Sequence, residues 1–392
     1  MTPHSATAST IKFPISLIRG GAFYRIQEKA RLIHPRAWDL QLRIPLAVAI
    51  AWLPLVLLAA MHGGFADARA LVLDSRVFAR VFIATPLLLL AQVTMETQFR
   101  AMAQHFLDAN IVRLEDLSRF RAIMQRTRRI RDAGLPELIV VVLVYVQAAV
   151  FAASGRLRPA SWAVDAVSGA LTPAGYYSLL IAQALFMGLL LIALWKWAIW
   201  VYVLWRISRL NLQLDATNGD RSGGLGFVGE IPRAFVPFVL ALSTVVAVNW
   251  RSQMLAGQQT LDSVKLPAAV FAVLVVLVFF VPLALFTPAL LREKRDGTLK
   301  YGPLQHLLSL QFQRKWVQHR NEHLDELVGN PDVSSLADAS SAFQNVAQMI
   351  VFPFRKGAVV AFLAALALPS IVVITTQMPL IQLVSQVLEA IH

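Results

Sequence analysis

The segment 215–227 carries the residue types and spacing best suited to binding chemistry. Asp215 and Asp220 supply carboxylate oxygens, and three nearby glycines allow the backbone to approach a ligand or a neighbouring helix closely. A glycine-rich loop ahead of a helix can also present N–H groups to an anion. The residues expected to form such a ligand or regulatory site are Asp215, Asn218, Asp220, Arg221, Gly223, Gly224 and Gly226.

The same segment also has a purely structural interpretation. Asn218 and Gly219 form a pair typical of turns, and the glycines would let the following helix pack closely. The segment lacks the Lys-Ser/Thr of a phosphate-binding P-loop and follows no predicted strand, which argues against nucleotide binding. From the sequence, a cation or anion site and a structural turn are both open.

Three polar side chains fall within or at the end of long apolar segments. Lys196 lies well before Arg206, so its ammonium either faces a bundle interior or an aqueous path, or extends to the membrane interface. Glu96 stands one turn before Arg100, a spacing that favours an ion pair on the surface. Lys196, Glu96 and Gln183 form the predicted permeation path, although such polar groups also join helices by hydrogen bonds.

Enzymatic arrangements have little support. The chain has no cysteine, which removes thiolate catalysis and Cys-ligated metals, and no serine stands in a nucleophile elbow. His319 and His323 are four residues apart and could share a metal ion, but such a pair is usually a solvated helix face. A lipid-modifying enzyme would need a polar catalytic cluster near one leaflet, for which 215–227 is the one candidate. We therefore expect no catalytic, cofactor-binding or metal site.

Composition indicates the class of protein that must position these residues. Hydrophobic residues make up 57% of the chain and charged residues 15%, with a mean hydropathy of +0.59. Soluble proteins carry about a quarter charged residues. Several unbroken apolar runs reach the roughly 18 residues that a membrane helix needs. Because the runs do not alternate, helices and not barrel strands must satisfy the backbone in lipid, which predicts an all-α polytopic membrane helix bundle.

Seven membrane spans are expected, at 44–62, 81–97, 137–154, 177–205, 234–250, 268–291 and 358–376. Lys and Arg are more numerous in the first segment and in every second gap than in the gaps between. Since basic residues favour the cytoplasmic side, this pattern predicts a cytoplasmic N-terminus and a C-terminus outside. The net charge of +13 then indicates cytoplasmic loops beside anionic lipid headgroups and argues against nucleic-acid binding.

The expected organisation has three parts. A cytoplasmic N-terminal segment (1–43) precedes a membrane domain (44–376), and a short amphipathic helix (377–392) follows it outside. The cytoplasmic segments 98–135, 206–233 and 292–356 form a helical subdomain within the membrane domain. Apolar residues at helical spacing, such as Phe99, Phe106, Leu304 and Leu307, predict helix faces that pack together below the membrane; the alternative is that they dock a partner.

Three of these cytoplasmic stretches resemble a bacterial multi-pass membrane protein family. Residues 217–227 are Thr-Asn-Gly-Asp-Arg-Ser-Gly-Gly-Leu-Gly-Phe, and the family signature is Thr-His-Pro-Asp-x-x-Gly-Gly-Leu-Gly-Phe. The other stretches are 105–110 (His-Phe-Leu-Asp-Ala-Asn), and the run from Lys315-Trp316 through 335–338 to 352–354 (Phe-Pro-Phe). The resemblance covers most of the chain and implies this architecture in a bacterial inner membrane, but no activity. Asn218-Gly219 replaces the His-Pro of the signature, so no role for an imidazole is implied there.

Two functions are open from the sequence. One is a channel or transporter for a small ion or solute, favoured by the polar residues and prolines within several spans, and such a protein would form a homo-oligomer. The other is a non-transporting scaffold or sensor whose cytoplasmic helices recruit a protein partner, favoured by the cytoplasmic position of the distinctive motifs. Anionic lipids of the inner leaflet are expected partners in both cases.

Overall fold

The computed structural model of the chain describes residues 40–153, 161–165, 168–318 and 331–375. Helices account for 84% of the structure, and the described residues form no strand, which confirms the all-α class. Six helical stretches are long and apolar enough to cross a membrane, or seven if one helix pair bent by 41° counts as a single span. The protein is therefore a polytopic helical membrane protein. Residues 1–39 of the predicted N-terminal segment, the pair His319 and His323, and the predicted C-terminal helix lie outside the described residues, whereas residues 40–43 of that segment form the start of the first helix.

Ten helices define the architecture. They are α1 (Leu40–Val72), α2 (Ser75–Asp108), α3 (Leu117–Asp132), α4 (Gly134–Ala153), α5 (Pro173–Ile207), α6 (Val236–Leu255), α7 (Leu261–Phe280), α8 (Thr287–Phe312), α9 (Pro331–Ala347) and α10 (Lys356–Thr375) within the described residues. A 3-10 turn at Gly226–Phe235 leads into α6, and another at Val281–Phe286 joins α7 to α8. The bent pair comprises α3, with the turn before it, and α4.

Glycine and proline account for the breaks in these long stretches. The predicted end of the first span at residue 62 coincides with non-helical backbone at Gly63 and Gly64, where Gly64 has a φ of +63° that residues with a side chain rarely adopt. Pro282 and Pro288 stand at the start of the 3-10 turn and of α8, where a missing N–H costs no hydrogen bond. The helical stretch Leu261–Val317 continues through both prolines, and it extends well beyond the predicted end of span six at 291.

Helix α2 lies at the centre of the bundle. It contacts α1, α5 and α6, while α10 packs on α6, α4 on α5, and α9 on α8. Thr94 Oγ1 donates to the carbonyl of Ala234 (2.6 Å), and Ser243 Oγ donates to the carbonyl of Ala365 (2.7 Å), so hydroxyls link neighbouring helices. Large apolar residues stay exposed on α4 and α7, as expected for surfaces in contact with lipid.

Candidate functional site

Six polar side chains from four helices meet inside the bundle. We call them the charged cluster: Arg43 of α1, Gln92, Glu96 and Arg100 of α2, Glu137 of α4 and Lys196 of α5. Lys196 Nζ donates to Gln92 Oε1 at 3.2 Å, and Arg100 Nη2 lies 2.5 Å from Glu96 Oε1. Arg43, Glu96 and Glu137 are close enough to Lys196 to act electrostatically on its ammonium group. Two of the sequence-predicted path residues, Lys196 and Glu96, therefore belong to one site.

The packing of α2 buries the inner part of the cluster. Gln92, Glu96 and Arg100 are spaced by four residues, so they form one stripe along α2; Gln92 and Glu96 are buried, and Arg100, whose side chain is 40% exposed, lies at the edge. Glu96 is 1% exposed and Lys196 8% exposed. Lys196 is thus an interior residue and does not extend to the interface. The Glu96–Arg100 pair forms as predicted, but its carboxylate is buried and not on the surface, because the helix turns that face inward.

Gln183 lies apart from the cluster. It precedes Lys196 by 13 positions on α5, which corresponds to roughly 20 Å along a helix. It directly follows a π-helical turn at Ser178–Ala182, and a second π turn at Ala79–Ala84 contains Arg80. The Arg80 guanidinium lies 6.0 Å from the ring centroid of Phe186 on α5. Arg80 and Gln183 thus lie within or directly after π turns toward the other end of the two helices, and such turns are frequent at functional sites.

Arg80 and Gln183 both have unused hydrogen-bonding capacity. Arg80 Nε and Gln183 Oε1 are both buried, and neither has a hydrogen-bond partner among the described residues. Burying a polar group without a partner costs free energy, so such groups call for an explanation. Arg80 was not among the predicted path residues, and neither were Arg43, Gln92 and Glu137. The sequence does mark Gln92 as a polar residue within a span and Arg80 as a basic residue at the entrance of span two, but it does not indicate that either belongs to a site with the other residues.

The loop 215–227 lies at a junction of the motif-bearing segments. Phe227 packs on His105 and Phe106, with ring centroids 4.1 and 4.9 Å away. The carbonyl of Arg221 accepts from the N–H of Ile350 at 2.6 Å, and the carbonyl of Gly226 accepts from Arg355 Nε at 3.3 Å. We call this assembly of residues 105–116, 208–229, 290–297 and 345–355 the loop junction. It brings together stretches that lie far apart in the sequence.

Asp220 organises this loop from within. Its Oδ1 accepts the N–H groups of Ser222 (2.8 Å) and Gly224 (3.1 Å), and its Oδ2 accepts the N–H of Gly226 (2.8 Å). The N–H groups that a glycine-rich loop could offer to an anion are therefore directed at the protein's own carboxylate. Gly223 and Gly224 have φ values of +62° and +90°, which explains why glycine occupies these two positions.

The remaining predicted loop residues have local roles. Asp215 Oδ1 accepts the N–H and hydroxyl of Thr217 at 2.9 and 2.7 Å, and Asn218 Oδ1 accepts the N–H of Asp220 at 3.0 Å. Arg221 adopts a φ of +54°, which is uncommon for a residue with a side chain. Within the part of the chain that the structure describes, no three His, Asp or Glu side chains are grouped to hold a metal ion.

Comparison of the chain with protein-family models, with curated proteins and with solved structures finds no match. The resemblance based on 217–227 thus stays a prediction, and the function must be argued from the geometry of the charged cluster and of the loop junction.

Proposed function

We propose that this protein moves a small ion or solute across its membrane, and that the charged cluster forms the cytoplasmic end of the path. The observation that supports the proposal is Lys196, which is buried inside a membrane-spanning bundle, donates to Gln92, and lies within electrostatic range of Arg43, Glu96 and Glu137. Ionisable groups at membrane depth are costly, face bundle interiors or water-filled cavities, and commonly mark ion or proton pathways.

The path is proposed to run between α2 and α5, from the charged cluster to Arg80 and Gln183. Buried Leu88, Phe186 and Leu189 fill the region between the two polar ends. Apolar constrictions of this kind gate channels by excluding water. Transport would then require α2 and α5 to separate at these side chains, and the two π turns provide points at which the helices can adjust.

The charges along this path favour an anion as substrate. Arg43, Arg100 and Lys196 lie with Glu96 and Glu137 in the charged cluster, and Arg80 lies near Asp74, which is itself paired with Arg76 at 3.1 Å, so the cationic side chains are in excess. Arg and Lys side chains line pores that select anions, whereas Asp and Glu rings select cations. Small anions are therefore the first substrates to test.

The proposal is tested by flux into liposomes that contain the purified full chain. Chloride, proton, K⁺ and Na⁺ gradients are imposed in turn, and the flux is compared with that of empty liposomes and of liposomes holding heat-inactivated protein. Flux above both controls supports transport, and a chloride flux larger than the cation fluxes supports the anion assignment. Background flux on all four gradients would reject the proposal for these ions.

Recruitment of a protein partner is the second candidate, and exposed leucines on α8 favour it. Leu299, Leu304 and Leu307 are 50–65% exposed on the polar continuation of the helix. Neighbouring residues of the same helix do pack against α9, since Gln305 Nε2 donates to Ser340 Oγ at 2.7 Å. The predicted packing of the two cytoplasmic faces is thus incomplete. Under this function, Leu304→Ser with Leu307→Ser would abolish co-purification of a partner while the liposome flux stays at background for every variant.

A further inference from the structure

Four arginines converge on a cleft at the end of α5. The cleft has a volume of about 370 Å³ and is lined by Arg119 and Arg126 of α3 and by Arg206 and Arg209 at the end of α5. Ala122, Ile123 and Leu210 complete the lining with apolar surface. We call this feature the arginine cleft. It is separate from the charged cluster and from the proposed path.

The packing of α3 on α5 explains why the arginines reach one cleft. Phe120, Ile123 and Met124 are buried, and Arg119 and Arg126 stand one turn before and after Ile123, so they flank the buried face beside the end of α5. On α5, the guanidinium groups of Arg206 and Arg209 lie over the Trp205 ring, at 5.8 and 4.6 Å from its centroid. Cation–π contacts of this kind restrict the two side chains and leave their N–H groups available.

Little negative charge compensates the cleft. Asp116 accepts from Arg119 Nη1 at 3.0 Å, but its other oxygen accepts the N–H of Asn211 at 3.0 Å. Arg126 contacts no carboxylate among the described residues. One carboxylate therefore faces four guanidinium groups, and an anion that enters the cleft meets a net positive field. Guanidinium groups bind phosphate oxygens through paired N–H donors, which makes phosphate the chemistry that this site fits best.

The position of the cleft identifies the source of the phosphate. It opens where a membrane-spanning helix ends, beside the partly exposed Trp205, and tryptophan is enriched at the level of lipid headgroups. We propose that the arginine cleft binds the phosphate of an anionic phospholipid from the adjacent leaflet. Basic pockets beside membrane helices on the cytoplasmic side are suited to such headgroups. This inference does not depend on the proposed transport, because it concerns a different surface and a binding equilibrium.

The test measures lipid binding to the full-length chain in detergent by native mass spectrometry. Phosphatidylglycerol, phosphatidylcholine and inorganic phosphate are added separately, and phosphate is also added as a competitor of phosphatidylglycerol. The cleft variants are Arg206→Gln with Arg209→Gln, and Arg119→Gln with Arg126→Gln. The matched control, Arg292→Gln with Arg295→Gln, removes two arginines from α8 and changes the net charge equally. Using a cleft variant on each helix guards against one of them failing to fold.

The expected result is a loss of phosphatidylglycerol affinity confined to the cleft variants. Two basic residues at an anionic surface correspond to a change of roughly thirtyfold in Kd. The control should bind phosphatidylglycerol like the unmodified chain, and phosphatidylcholine should bind weakly to all. Equal losses in cleft and control variants, or equal affinity for both lipids, would overturn the proposal. Displacement of the lipid by millimolar inorganic phosphate would overturn it as well, and would assign the cleft to a soluble phosphate.

Discussion

Replacement of Asp220 by asparagine should destabilise the protein without removing a ligand site. The carboxylate accepts three backbone N–H groups, two on Oδ1 and one on Oδ2. Asparagine keeps one carbonyl oxygen, so the bonds from Ser222 and Gly224 can persist. Its amide NH₂ would face the N–H of Gly226, and one charge-assisted bond is lost. Such a bond contributes about 2 kcal/mol to the free energy of unfolding.

Asp220→Ala should destabilise the protein more than Asp220→Asn does. Alanine leaves all three N–H groups without their acceptor, and because solvent reaches part of the loop we expect a cost of about 3 kcal/mol. At roughly 2 °C per kcal/mol, the apparent Tm should fall by about 4 °C and 6 °C, measured by intrinsic fluorescence in detergent. Asp215→Asn is the control, since the Asp215 carboxylate bonds only to Thr217 among the described residues, and its Tm should change little.

A different pattern would refute the structural account of the loop. If Asp220→Asn left the Tm unchanged but altered liposome flux or the binding of an added cation or anion, the carboxylate would have to act on a ligand. The segment 215–227 would then be a regulatory site and not a structural junction. If Asp215→Asn and Asp220→Asn had equal effects on Tm, the proposed role of the three backbone bonds would be wrong.

Three further predictions concern a close backbone contact, an ion pair and the membrane orientation. Gly229→Ala should lower the free energy of unfolding by about 2 kcal/mol, because a Cβ there would stand 2.8 Å from the Pro353 carbonyl oxygen; an unchanged melting curve would contradict this close approach. The hydrogen bond from Lys315 lowers the pKa of Asp332 below its ordinary 3.8. The contact therefore stabilises the packing of α9 on α8 fully above pH 3.8, and this stabilisation is lost as the pH falls through the lowered pKa. In Lys315→Gln, the carboxyl signal of labelled aspartate should titrate nearer the ordinary value, and an identical titration would argue against the contact. The charge pattern predicts that the loop with Asn218 is cytoplasmic. The thiol of Asn218→Cys in sealed right-side-out vesicles should therefore react with an impermeant maleimide only after detergent is added. Labelling without detergent would mean that the orientation is the opposite one.

Much of the fold could be predicted because hydropathy acts locally. Six predicted spans overlap helical stretches long and apolar enough to cross a membrane, and the other, 137–154, overlaps α4 of the bent pair; the first span also ends at its glycine break, since the apolar runs and their interruptions are properties of neighbouring residues. The extension of α8 was less apparent. Its charged residues indicated the end of a membrane span, but the helix continues because Leu, Lys, Arg and Glu are all good helix formers.

The charged cluster could be predicted only in part because it depends on tertiary packing. Arg43 and Glu137 stand at the ends of predicted spans, where charged residues ordinarily contact headgroups or water. They take part in the site only because α1 and α4 come together with α2 and α5. The π turns beside Arg80 and Gln183 likewise leave no signature in a pattern of 3.6-residue periodicity.

The role of the segment 215–227 could also be predicted only in part. The sequence indicated that 215–227 was distinctive, and both a ligand site and a turn fitted its glycines and carboxylates. What it did not contain was the direction of the Asp220 carboxylate, which depends on positive φ values at Arg221, Gly223 and Gly224. Three distinctive stretches of the sequence meet in the loop junction, namely 105–110, 217–227 and 352–354. They therefore share one structural role.

Anion flux through Lys196→Met in liposomes tests whether the path runs through the charged cluster. Methionine keeps the length and apolar stem of the side chain but removes the buried ammonium. Lys265→Met is the control, because Lys265 is 64% exposed and pairs with Asp262 at 2.8 Å, away from the proposed path. Size exclusion and thermal melting first check that both variants are folded. We then expect Lys196→Met to change the rate or the ion selectivity of flux at least about tenfold, and Lys265→Met to leave both unchanged. Flux that is the same in the unmodified chain and in Lys196→Met would contradict a path through the charged cluster.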